Sequence, residues 1–122
     1  MNDNQRLFSP DQRFFILLGS FEIRMSHWIT NASLWESSPK CMILQFGSSL
    51  WSTEQVTWHA DSTYLTAKLR RYPGDAPIVL LNIYPDERLI THHTPTNTTS
   101  IKFEDLNQYL ESYYQQHQRT SS

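Results

Sequence analysis

The run Ile78–Ile83 constrains the fold of this chain more than any other stretch. Five of its six residues are apolar, with Pro73-Gly74 before it and Pro85-Asp86 after it. Successive side chains of a strand point to opposite faces, so such a run needs cover on both sides and predicts a central strand. Weaker signals surround it. Cys41 to Phe46, between Pro39 and Gly47, predicts a short buried strand. Val56, Trp58 and Ala60 alternate with Gln55, Thr57 and His59, the period of a half-buried strand. Beyond the Pro85-Asp86 turn, Arg88–His92 reads as a hairpin partner, and residues 94–100 read as a loop.

Helical spacing frames these strands. Ser9-Pro10-Asp11-Gln12 has the order of a helix start: a capping serine, a proline at the first position and acid near the dipole. After it Phe14, Leu17, Leu18, Phe21, Met25, Trp28 and Ile29 recur at spacings of three and four. Residues 62–72 fit either period, and their Ala, Lys, Leu and Arg content before Pro73-Gly74 tips them to helix. Phe103, Leu106, Leu110 and Tyr113 or Tyr114 mark a closing amphipathic helix, with Glu104 and Asp105 at its start. The expectation is an α+β fold: one small domain over 9–117, with a mainly antiparallel or mixed sheet of about four strands. N-terminal and C-terminal helices pack on that sheet. The ends, 1–8 and 118–122, are polar and read as flexible.

Composition narrows function mainly by exclusion. The 122 residues carry a net charge of −2, which argues against a nucleic-acid binder driven by phosphate neutralisation. No apolar segment approaches the roughly 20 residues of a membrane span. A single cysteine, Cys41, excludes an internal disulfide and Cys-rich metal sites; it reads as core filler. Together these favour a cytoplasmic protein. The three glycines, at 19, 47 and 74, allow no phosphate-binding loop or dinucleotide fingerprint, so no cofactor is expected.

Two groups of residues suggest chemistry. His59 and Asp61 sit two apart, so on a strand they share a face as a base and its orienter. His92-His93 supplies two imidazoles, but adjacent strand residues face opposite ways. A metal-dependent hydrolase or nuclease built from His59, Asp61, His92 and His93 needs both strand ends side by side. Ser62 lacks the Gly-x-Ser-x-Gly elbow of a hydrolase nucleophile.

Aromatic residues give the stronger lean. Trp28, Trp35, Trp51 and Trp58 are many for this length, and tryptophan and tyrosine are enriched at interface hot spots. The leading expectation is a protein-binding module without catalysis (an adaptor, assembly factor or inhibitor). Its expected partner is another protein, met through Trp35, Trp51 and Tyr84. A further reading buries the aromatics between copies of the chain.

Overall fold

Apolar side chains two residues apart, not three or four, organise this chain. The computed structural model describes residues 5–23, 27–46, 51–71 and 78–120. Among them nine strands follow in order: β1 (Gln5–Phe8), β2 (Phe14–Ile23), β3 (His27–Ser37), β4 (Lys40–Gln45), β5 (Trp51–Trp58), β6 (Leu65–Arg71), β7 (Ile78–Tyr84), β8 (Leu89–His93) and β9 (Thr98–Lys102). A 3-10 turn, Phe103–Asp105, leads into one helix, α1 (Leu106–Thr120). Strands β1–β4 form one sheet and β5–β9 a second, each in chain order with antiparallel neighbours. The protein is mostly β, which overturns the expected α+β fold with an N-terminal helix.

The N-terminal correction has a physical cause. Phe14 and Ile16 enter the core, while Phe15 between them turns to the outer face of the sheet. A strand apolar on both faces also satisfies a three-and-four spacing by coincidence. Pairing decides: β2 runs antiparallel to β3 from Phe14 opposite Glu36 to Ile23 opposite His27. Ser9-Pro10-Asp11-Gln12 makes a turn instead of a helix cap. The Ser9 hydroxyl donates to Asp11 Oδ1 at 2.7 Å and accepts the Phe14 N–H at 3.2 Å, with Gln12 at φ 63°. The side chain of Trp28 lies outside the described residues.

Residues 62–72 are corrected in the same sense. In β6, Leu65, Ala67, Leu69 and Arg71 are buried and alternate with half-buried Thr66, Lys68 and Arg70. Residues 5–8 of the stretch read as a flexible end form β1, and residues 98–102, partly read as loop, form β9. Cys41, expected in the core, is exposed on β4.

The inner faces of both sheets and one side of α1 share the core. Leu65, Ala67, Leu69, Val79, Leu81, Ile83 and Ile90 meet Phe14, Ile16, Leu34 and Leu44, with Leu106 and Leu110 from the helix. Each wholly buried leucine or isoleucine there contributes about 1.5–3 kcal/mol relative to exposure. Trp51 is fully buried, and its Nε1–H donates to Glu111 Oε2 of α1 at 3.0 Å. The two sheets are also tied through their turns. Arg13 grips Asp86 through two bonds of 3.0 Å, and the Asp11 N–H donates to Ser62 Oγ at 3.0 Å. No helix among the described residues is long and apolar enough to cross a membrane.

Candidate interaction face

The outer face of the first sheet carries a row of large apolar side chains. Register places Phe8 beside Phe15, Phe15 beside Trp35, and Trp35 beside Met42, so one row crosses all four strands. The Phe8 and Phe15 ring centroids are 5.2 Å apart, and Phe15 stacks on Trp35 at 6.0 Å with planes 10° apart. Phe15 is covered by its neighbours, but Phe8 at 48% and Met42 at 47% exposure leave the row open at both ends. The Trp35 indole, half-buried, is oriented by a 2.9 Å bond from its Nε1–H to Ser33 Oγ.

Cations flank the row. The Arg6 guanidinium lies 5.4 Å from the Phe15 ring centre, and Lys40 Nζ lies 5.9 Å from that of Trp35. Such contacts contribute about 0.5–1 kcal/mol at exposed sites. Neither cation has a carboxylate partner among the described ion pairs. The described positions that register assigns to this face of β1–β4 include no acid, so the face is apolar and positive despite the chain's net charge of −2. That pattern suits an acidic surface bearing exposed apolar groups.

Of the three expected contact residues, only Trp35 lies on this face. Trp51 is a core residue tethered to the helix. Tyr84 belongs to the second sheet, where it stacks on Tyr64 at 5.2 Å and Tyr64 stacks on His59 at 4.7 Å. Trp58, half-buried, donates its Nε1–H to the Leu7 carbonyl at 2.9 Å. Phe8, Phe15, Met42, Arg6 and Lys40 were missed by sequence reasoning. The unbroken apolar run Phe14–Leu18 was the available signal, since a strand apolar on every residue must present one apolar face away from its core.

His59, His92, His93 and Asp61 divide among three environments. His59 Nδ1 and Asp61 Oδ1 are 2.7 Å apart in the exposed β5–β6 turn. The Thr63 hydroxyl and N–H, then the His59 ring, hold the Asp61 carboxyl at about 2, below its usual 3.8. His92 faces inward and shares a hydrogen bond with the Tyr109 hydroxyl, whose pKa burial raises. His93 points the other way and bonds Thr98 at 2.8 Å. The four residues proposed for a metal-dependent hydrolase therefore do not converge. No group of three or more His, Cys, Asp or Glu among the described residues is arranged to hold a metal ion. Comparison with known family models, curated proteins and solved structures gives no match for the chain.

Proposed function

We propose that this chain is a small cytoplasmic protein-binding module, an adaptor, assembly factor or inhibitor, that acts by contact and without catalysis. The observation that supports this reading is the Phe8–Phe15–Trp35–Met42 row, open at both ends and flanked by Arg6 and Lys40. Covering the exposed halves of Phe8 and Met42 contributes about 1 kcal/mol each. The two uncompensated cations supply selectivity for an acidic partner and faster encounter with it. A second copy of the same face fits less well, because it brings the same two positive charges.

The test is affinity capture of tagged protein from lysate of its own source cell, read by mass spectrometry at low and high salt. One dominant partner at near-stoichiometric yield is expected with the wild type. Trp35→Ala and the pair Phe8→Ser with Met42→Ser should lose it, and salt should weaken it. Leu80→Ser removes an exposed apolar residue from the other sheet and should leave capture unchanged. A partner retained by every variant of the row refutes the reading.

A further inference from the structure

We propose that the partner engages by strand addition: an extended segment bearing acidic and apolar residues pairs its main chain with the open edge of β4. This deepens the reading of the adjoining face as the contact surface and rests on it.

Two hydrogen bonds fix which main-chain groups face outward. The Ser37 N–H donates to the Arg13 carbonyl at 2.9 Å, and the Phe46 N–H donates to the Ala32 carbonyl at 3.0 Å. Odd-numbered residues of β3 thus turn their main-chain groups to β2, and even-numbered ones to β4. Leu44 and Cys41, opposite Leu34 and Glu36, face β3. Lys40, Met42 and Gln45 are left with N–H and C=O groups on the side where the sheet ends. No other described element bonds to them. An extended main chain is the ligand that satisfies such a row.

The other edges differ. β1 is four residues long, and its Leu7 carbonyl accepts the Trp58 indole. β5 abuts β3, where the Thr30 N–H donates to Ser52 Oγ at 3.1 Å. β9 runs directly into the 3-10 turn. β4 borders a groove of about 410 Å³, lined by Ile43, Gln45, Arg88, Phe103 and Glu104 at the start of the helix, whereas the groove beside β9 is lined by Asp105 and no cation.

Charge specifies the occupant. A strand added here alternates its side chains between the groove, where Ile43 and Phe103 offer apolar contact, and the outer face, where Lys40 of β4 itself awaits a carboxylate. β4 itself carries a lysine and a register shift, devices that keep a sheet edge from pairing indiscriminately. A second β4 would bring another lysine and no carboxylate to answer Lys40, so the segment comes from an acidic partner.

The probe is a capped eight-residue peptide of alternating valine and glutamate, titrated into the full chain by NMR. Saturable binding is expected, with new hydrogen-exchange protection at the Met42 and Gln45 amides. Gln45→Pro removes one outward N–H without touching the aromatic row and should weaken binding at least tenfold. A peptide N-methylated at alternate residues, and one with lysine replacing glutamate, should each bind at least tenfold more weakly to the wild type. The N-methylated peptide keeps the test decisive if Gln45→Pro fails to fold. Absence of saturable binding, or equal affinity for the N-methylated peptide, overturns strand addition. In the capture experiment, a partner lost with Trp35→Ala but kept by Gln45→Pro refutes strand addition and leaves the face as the contact site. The reverse pattern refutes the face alone.

Discussion

At the scale of single residues, polar tips decide where the large aromatics go. Trp51 is wholly buried because Glu111 accepts its Nε1–H, and the same carboxylate accepts from Arg71 Nη2 at 3.3 Å. Burial of an indole N–H without an acceptor would cost about 1–3 kcal/mol. Glu111→Ala removes that acceptor and one partner of a largely buried arginine. Glu111 is 40% exposed on its side chain, so water offsets part of the loss. The expected destabilisation is about 1–2 kcal/mol in urea unfolding, and Glu111→Gln should recover part of it by keeping one acceptor oxygen. Nothing in the sequence near Trp51 signals this partner, which lies 60 positions away. Phe15 shows the converse: it is buried without joining the main core, under Phe8, Trp35 and Arg6 on the outer face.

At the scale of elements, β6 separates the two periods most cleanly. A helix over 62–72 would bury Leu65, Leu69 and Tyr72 and leave Ala67 off that face. In the strand, Ala67 is fully buried opposite Leu81, and Lys68 lies on the other face opposite Leu80. Ala67→Glu should therefore cost several kcal/mol, a large share of a stability of about 5–15 kcal/mol, through a buried charge and overpacking. Lys68→Glu should stay within about 0.5 kcal/mol. Paired urea titrations check this, and similar losses for the two variants would contradict the alternation. The strand content of 78–83, of 41–46 and of the 88–92 return was legible because proline or glycine bounded each run. The first three strands were illegible for the opposite reason. β2 and β3 have apolar groups on both faces, and period two is hidden where every position is apolar. The interaction row inherits that blindness, because its members are neighbours across strands and far apart in sequence.

At the scale of the whole molecule, the turns at one end of the two sheets act as a clasp. Arg13 bridges Asp11 and Asp86, the Asp11 N–H reaches Ser62, and Arg88 lies 3.8 Å from Glu36. Arg13 is held firmly protonated by its two carboxylates. In return, the Arg13 guanidinium first and the Ser9 hydroxyl second hold Asp11 at about 2, below its usual 3.8. A carboxyl with a lowered folded-state pKa adds stability that is complete above its unfolded value and is lost as pH falls through the folded one. For Asp11 the window runs from about 3.8 down to about 2. Asp61 in the facing turn adds to it in the same window. Both carboxylates are open to solvent, so salt should shrink the effect. The wild-type urea midpoint should therefore fall between pH 4 and pH 2, more steeply at low ionic strength. Asp11→Asn should start lower at pH 5 and fall less. A variant whose midpoint falls in parallel with the wild type would show that the Asp11 carboxylate contributes nothing to acid stability, leaving the Arg13–Asp86 pair and the main-chain bond to Ser62 as the tie between the turns.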